Sequence, residues 1–345
     1  MHNRFTWPLS LILPCVLLIS SALFTPAQQP GGGRLTGDIV GGAALIFRAP
    51  TDPKVKAVSS VGQTGVGGGR TTGSRKPKPT VGEQQEQLLA RANAARKVNR
   101  DEAKKQYTAA TRLMPTDARA FVGLGNVSID DDKFADAENY YKKAVELSPD
   151  YKDAYLPLAY SLARQEKYDQ AIPIYEKLKQ QDPKNPEVVN NLAAAYNAIR
   201  LYEKGRDEAT LAIELLGETG QPYLQGHQDR DELLSYAYKN RGNAHNGLND
   251  FEKAATDLQK ATTLGPTNAA AYFNLGLTLY NAKRYSEAIE AYQNVLKLRP
   301  SLPQAHYNLG LTFVAINDKK SAREQYEALR AINSDLAAQL EKLLK

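Results

Sequence analysis

The sequence predicts an all-α protein built from a tandem array of helical hairpins, and three regularities carry that prediction. Prolines recur at a spacing of 34 residues, a small residue lies twelve positions before each of them, and an aromatic residue lies eight positions before four of them. The prolines are Pro115, Pro149, Pro183, Pro266 and Pro300. A fixed period of this length marks a repeat protein in which each repeat is one supersecondary unit.

The first 27 residues have the layout of a secretory signal peptide. Arg4 supplies a positive charge, Trp7–Phe24 is mainly apolar, and small residues follow up to Ala27. This order predicts export, with cleavage after Ala27 or Ala22, and hence a periplasmic or extracellular protein. An uncleaved membrane anchor stays open, because the 18-residue apolar stretch just suffices to cross a bilayer. Lipid attachment at Cys15 is a further alternative.

Residues 28–82 are predicted to form a disordered, basic linker. Thirteen of the residues from 31 to 82 are glycine, and the segment from 28 to 82 has eight basic side chains against two acidic ones. Such a composition buries too little apolar surface to offset the entropy of ordering. Its one apolar run, Ile39–Phe47, could form a short strand that pairs with a partner's sheet edge.

The charge distribution argues against a folded nucleic-acid-binding domain. The net charge of the chain is +6, but residues 83–345 carry 35 basic and 36 acidic side chains. The excess positive charge therefore lies in the N-terminal quarter, and the repeat array is almost neutral. We accordingly expect no nucleic-acid partner.

Each 34-residue unit contains two apolar patterns of helical period on either side of a polar turn, which predicts a helical hairpin. Small residues at positions 8 and 20 let the two helices approach closely, and the proline at position 32 ends the second helix. About seven units fit into residues 83–336, with a 15-residue insertion at 220–234. One hairpin cannot bury both faces, so the units are expected to stack into a solenoid, with residues 337–345 in a capping helix.

These recurring positions resemble the tetratricopeptide repeat (TPR) family, and the resemblance covers 253 of the 345 residues. It implies a superhelix in which the first helix of each hairpin lines a concave groove, through positions 2, 5, 6, 9, 12 and 13. It also implies a scaffold that binds a protein or an extended peptide and does no catalysis, and the signal-peptide layout places that scaffold outside the cytoplasm. The alternative is a structural component of a cell-envelope or secretion assembly, held by the basic linker or the convex face.

Asparagine at position 6 of four successive first helices is the main candidate for ligand contact. A primary amide donates and accepts hydrogen bonds, so it can pair with a peptide unit. The resemblance adds two polar residues on the same wall and four aromatic residues as possible anchors. The candidates are Asn191, Asn240, Asn274, Asn308, Lys239, Asn243, Tyr160, Phe273, Tyr280 and Tyr307. The alternative is that asparagine at position 6 is simply a signature of the repeat.

Catalytic and metal-binding patterns do not emerge from the sequence. Cys15 is the only cysteine, and the four histidines lack the spacing that places two imidazoles on one helical face. No nucleophile turn, carboxylate pair or nucleotide loop is recognisable. We therefore expect no enzyme activity, no cofactor and no metal.

Overall fold

The computed structural model describes residues 78–217 and 227–345, and this part of the chain contains 15 α-helices and no β-strand. The all-α prediction is confirmed. The described residues fall into two compact units, one from 78 to 265 and one from 266 to 345. The predicted signal peptide, the predicted linker up to residue 77 and residues 218–226 of the insertion lie outside the described residues.

The first unit consists of ten helices that pair as consecutive hairpins, α1 with α2 and so on to α9 with α10. A 3-10 turn at Lys152–Ala154 precedes α5. The helices are α1 (Val81–Arg96), α2 (Arg100–Leu113), α3 (Ala118–Asp130), α4 (Phe134–Leu147), α5 (Tyr155–Ala163), α6 (Tyr168–Gln181), α7 (Pro186–Ala198), α8 (Tyr202–Gly217), α9 (His227–Gly247) and α10 (Phe251–Leu264).

The second unit contains two further hairpins and a final helix. Asn333 caps this last helix, since its side-chain oxygen accepts a hydrogen bond from the Leu336 amide at 3.0 Å. The last helix packs on both helices of the preceding hairpin and buries Leu340 and Leu344, whereas Leu343 is half exposed. The helices are α11 (Ala269–Asn281), α12 (Tyr285–Leu298), α13 (Pro303–Ala315), α14 (Lys319–Ile332) and α15 (Ser334–Leu344).

Six of the seven hairpins share one turn conformation, spaced 34 residues apart on either side of the insertion. Six residues there have a positive φ between 58° and 62°, namely Asp132, Glu166, Arg200, Asn249, Lys283 and Asn317. The residue after each of them donates its backbone amide to a carbonyl five residues earlier, as Lys133 does to Ser128 at 2.8 Å. This is the Schellman termination of a helix, which here uses a non-glycine residue in the left-handed conformation.

The regularities of the sequence now have structural counterparts. The five period-marking prolines each lie two residues beyond the end of a second helix. Tyr107, Tyr141 and Tyr292 at position 24 are buried, and a glycine of a first helix lies against each ring. A β-carbon at Gly125, for example, would lie 2.6 Å from the ring of Tyr141. Close helix approach therefore requires the small residues that the pattern contains.

Candidate ligand-binding face of the first helices

First helices of successive hairpins lie side by side. In the first unit α1 contacts α3, α5 contacts α7, and α7 contacts α9, while in the second unit α11 contacts α13. A second helix connects each pair of neighbours along the chain. The repeat pattern assigns the position-6 and position-9 residues of these first helices to one side. We call this side the inner face.

The helices α7 and α9 carry five asparagines, which we call the amide cluster: Asn190, Asn191, Asn197, Asn240 and Asn243. Hydrogen bonds join three of them across the two helices. The Asn240 side-chain amide donates to the side-chain oxygen of Asn190 at 2.9 Å and to its backbone oxygen at 3.2 Å. Asn197 donates to the backbone oxygen of Asn240 at 2.8 Å. These bonds join the two first helices directly.

The predicted contact residues of the amide cluster differ in exposure. Asn191 and Asn240 are fully buried, and Asn243 is half-buried. Asn240 holds the neighbouring helix through Asn190, so this position-6 asparagine has a structural role whether or not it also meets a ligand. Asn197 fits because α8 has Gly205 opposite it, where a β-carbon would lie 2.1 Å from the Asn197 side-chain oxygen.

Lys239, the predicted polar groove residue next to Asn240, is fully buried. Its ammonium nitrogen lies 5.4 Å from the centre of the Tyr236 ring, one helical turn earlier on α9. A cation over an aromatic face recovers part of the cost of leaving water. Lys239 therefore belongs to the interior of this region and not to its solvated rim.

At the other end of the first unit, α1 and α3 are joined by charges instead of amides. The Arg96 guanidinium lies 2.7 Å from Asp130, a residue at the equivalent position one repeat later. Arg119 bridges Glu86 at 2.7 Å and Asp117 at 2.8 Å, and Gln85 donates to Asp117 at 3.0 Å. We call these residues the charged cluster: Gln85, Glu86, Arg96, Asp117, Arg119 and Asp130.

Ionisation in the charged cluster is shifted toward the charged forms. Burial raises the pKa of Asp117, but hydrogen bonds from Arg119 and Gln85 and the charge of Arg119 outweigh it, so the pKa lies below the ordinary 3.8. Hydrogen bonds to Asp117 and Glu86 raise the pKa of Arg119. Asp117 and Arg119 therefore hold one another in their charged forms.

The second unit carries five of the predicted site residues. Burial raises the pKa of Tyr292, and the neighbouring Asn308 side chain acts in the opposite direction, so this position-6 asparagine lies beside a buried hydroxyl. Asn274 is half-buried on α11. Phe273 is buried edge-on to Tyr292, with ring centres 5.8 Å apart, whereas half-buried Tyr280 lies 5.6 Å from Tyr285.

Two further aromatic candidates also pack inside their own units. Tyr307 is buried in a cluster with Leu329 and Leu340 in the second unit. Tyr160 is buried in the first unit, where Arg164 donates to its hydroxyl at 2.8 Å. Of the four rings predicted as anchors, only that of Tyr280 is more than slightly accessible.

Sequence reasoning missed the charged cluster and Asn126. The buried hydroxyl of Tyr141 donates to the Asn126 side-chain oxygen at 2.7 Å, while the Asn126 amide nitrogen is buried without a hydrogen-bond partner. The opposite charges of Arg96 and Asp130, one repeat apart, were the available signal for the cluster.

Metal-binding clusters are absent from residues 78–217 and 230–345, where no three His, Cys, Asp or Glu side chains come together in a suitable way. In the same ranges no helix is both long enough and apolar enough to cross a membrane.

Comparison with known proteins identifies tetratricopeptide repeats in this chain. Models of the tetratricopeptide repeat match residues 128–196, 239–303 and 284–337. Human tetratricopeptide repeat protein 6 is 27% identical over 195 residues, or 54% of this chain and 34% of that protein. The chain spans about a third or less of the length of the curated relatives it matches first.

Two solved structures show the same fold. A tetratricopeptide repeat protein from Parabacteroides merdae matches with a TM-score of 0.58 at 13% identity, covering 76% of this chain and 98% of the other. The Cut9–Hcn1 hetero-tetramer of the APC/C matches with a TM-score of 0.60 at 18% identity, covering 75% of this chain and 49% of the other. At these identities the likeness concerns the fold alone.

Proposed function

Because the chain belongs to the tetratricopeptide repeat family, we propose that it is a non-catalytic scaffold that binds a protein or an extended peptide along the inner face. The family is a protein-interaction fold. The observation that carries the proposal is the amide cluster, in which hydrogen bonds join Asn190, Asn197 and Asn240 of two neighbouring first helices that also carry Asn191 and Asn243.

The chemistry of the amide cluster suits a peptide backbone. A backbone unit offers one donor and one acceptor, and a carboxamide complements both. Lys239 is the one charged group among the predicted contact residues, and it is buried. An inner face of this kind would select partners by shape and hydrogen bonding more than by long-range attraction.

The proposal includes a location outside the cytoplasm. The signal-peptide layout of residues 1–27 supports export to a periplasm or the extracellular space, with the N-terminal apolar segment either cleaved or kept as an anchor. We further propose that the inner face has neither a cofactor nor a nucleic-acid partner, in keeping with its amide chemistry and the near-neutral repeat array.

Site-specific photocrosslinking tests the inner face. A photoreactive phenylalanine analogue replaces half-buried Asn243 in the full exported chain, and a matched variant carries it at Asn139, which is exposed on the second helix α4. Crosslinked partners from the native compartment are identified by mass spectrometry. We expect a discrete partner from position 243 and none in common from position 139. The same partner from both positions would contradict inner-face binding.

One observation favours a second candidate, a structural part of a cell-envelope assembly. The segment from 28 to 82 has eight basic and two acidic residues, which fits an anionic surface. Deletion of residues 30–77 separates the two functions. Crosslinking at position 243 should survive this deletion if the inner face binds the partner, whereas association with the envelope should be lost if the linker provides it.

A further inference from the structure

The first helices of the second unit have one side open to solvent. At about 100° per residue, the side chains at positions 6, 9 and 13 lie within about 60° of one another around a helix. On α11 and α13 every residue at these positions is half-buried or exposed. We call them the open stripe: Asn274, Leu277 and Asn281 on α11, and Asn308, Leu311 and Ala315 on α13.

Three first helices of the first unit are closed at the corresponding positions. On α3, α5 and α7 the residues at positions 6 and 9 are buried. Leu277 and Leu311 therefore differ from their counterparts there, which are enclosed and comprise Asn126, Tyr160 and Ala194. The open stripe is thus a part of the inner face where a ligand can reach side chains of two neighbouring first helices.

The two helices of the open stripe carry no charged residue. The helices Ala269–Asn281 and Pro303–Ala315 lack Asp, Glu, Lys and Arg, and the charged residues of the same two hairpins lie on the second helices and in the connections. A charged segment that docked here would lose hydration without gaining a counter-ion. The ligand that complements the open stripe is therefore uncharged where it makes contact.

Leucines and carboxamides together give the open stripe its chemistry. Leu311 is partly buried and packs on the cluster that contains Tyr307, so its remaining surface is an apolar contact point. Leu277 occupies the same position one repeat earlier. Three residues before each leucine, Asn274 and Asn308 add carboxamides that donate and accept hydrogen bonds. The stripe therefore suits both an apolar side chain and a peptide backbone.

The spacing between the two helices favours one backbone conformation. Packed helices lie about 8–10 Å apart, so Leu277 and Leu311, at the same position of two helices in contact, offer apolar surface at about that interval. In a polyproline II helix, side chains on one side recur every three residues, about 9 Å along the chain. In a β-strand they recur about every 7 Å. The polyproline II repeat therefore matches the helix spacing better.

A polyproline II backbone also matches the polar groups and the accessible ring. It has no internal hydrogen bonds, so its carbonyl oxygens can accept from the amides of Asn274 and Asn308. Half-buried Tyr280 follows Leu277 by three residues, and its ring centre lies 5.6 Å from that of Tyr285. Aromatic side chains are the usual contact for the prolines of such a segment.

We propose that the open stripe of the second unit binds an uncharged polyproline II segment of the protein partner, whose aliphatic side chains, three residues apart, contact Leu277 and Leu311. This proposal rests on the proposed function, because it names the conformation and the side chains of the ligand at the inner face of this unit. It adds a three-residue period that peptide binding alone does not imply.

Fluorescence anisotropy with labelled synthetic peptides tests the class of ligand. The probe is an end-capped peptide of repeated Pro-Pro-Leu, titrated with the full chain. The controls are a peptide of the same composition with its leucines adjacent, and a peptide of repeated Pro-Pro-Glu. We expect the probe to bind at least about fivefold more tightly than either control, because it places uncharged apolar side chains at the helix spacing. Equal affinity for all three peptides, or no binding of the probe, would overturn the proposal.

Two double variants test the site. Leu277→Asn with Leu311→Asn gives both helices the residue that α3 and α9 have at position 9, so the hairpins should still fold. We expect this variant to bind the probe at least about tenfold more weakly. Leu298→Asn with Leu343→Asn is the matched control at exposed apolar positions of α12 and α15, and it should leave the affinity unchanged. The same affinity for the wild type and the Leu277 and Leu311 variant would contradict the proposed contact.

Crosslinking gives a second readout that needs no variant. A photoreactive leucine analogue replaces one leucine of the probe, and mass spectrometry locates its attachment to the wild-type chain. We expect attachment within residues 274–281 or 304–315, and attachment confined to other residues would overturn the proposal. Partner capture at position 243 is measured separately and uses no peptide. Capture there without binding of the probe would leave inner-face binding in place and refute the polyproline II ligand.

Discussion

The charged cluster and the amide cluster do the same structural work with different chemistry. Each joins two first helices of the first unit, α1 to α3 through Arg96 and Asp130, and α7 to α9 through Asn240 and Asn190. In the charged cluster, each ionised side chain is paired with one of opposite charge. In the amide cluster, each carboxamide has two donor hydrogens and two acceptor lone pairs, so a joint of this kind can also recognise a peptide.

The largest expected effect comes from breaking the charged joint. Arg96→Ala leaves Asp130 without its guanidinium in a site where both side chains are largely buried, and we expect a loss of about 2–3 kcal/mol in the local free energy of unfolding. Native-state hydrogen exchange of α3 amides measures that quantity.

Arg100→Ala is the matched control. The Arg100 side chain is about half exposed, and its ion pair with Asp131 and its hydrogen bond to the Asp130 backbone oxygen should together contribute less than about 1 kcal/mol. Equal effects of the two substitutions would show that burial does not strengthen the Arg96 pair.

Breaking the amide joint should cost less. Asn240→Ala removes two hydrogen bonds between neutral groups, and we expect α9 to lose about 1–2 kcal/mol of local stability by the same exchange measurement. Combination with Asn190→Ala should be less than additive, because the two side chains share a bond. Strict additivity of the two losses would contradict a direct link between α7 and α9.

The smallest expected effect is a pH dependence of stability, which only the charged cluster should show. Because the pKa of Asp117 is lowered in the folded state, its ionisation contributes stability that is fully present above the unfolded pKa, near 4, and is lost as the pH falls through the folded pKa. Asp117→Asn should therefore destabilise by about 1 kcal/mol at pH 6 and progressively less below pH 4.

Thermal unfolding between pH 2.5 and 6 measures this difference, and Asn240→Ala serves as the comparison. Its effect should not change with pH, since no carboxylate is removed. A difference in Tm between the wild type and Asp117→Asn that stays constant over the whole pH range would show that Asp117 is not the titrating group.

The sequence predicted the hairpins well because their requirements are local. Proline after a second helix and a small residue opposite a buried tyrosine follow from backbone and packing constraints that recur in most repeats. The charged cluster was missed because it depends on side chains that differ between repeats, such as Arg96 and Asp130. The proximity of Asn308 to Tyr292 was missed because the two residues belong to different hairpins, and a pattern within one repeat does not contain it.

The sequence assigns residues to the inner face by their position in the repeat alone, and repeat position does not determine how exposed a side chain is. Lys239 was expected to be an accessible polar residue, yet it is fully buried over Tyr236. Tyr160 and Tyr307 occupy groove positions by count but are buried in the cores of their units. Burial depends on what covers a helix, which the helical period does not specify.

The most direct test compares one carboxamide from each cluster in partner binding. The partner captured at position 243 is titrated against the full chain and against Asn191→Ala and Gln85→Ala, with the affinity measured by calorimetry. Gln85 is buried and its amide is already bonded to Asp117. We predict at least tenfold weaker binding for Asn191→Ala and unchanged affinity for Gln85→Ala. Equal affinity of the wild type and Asn191→Ala would contradict peptide recognition by the amide cluster.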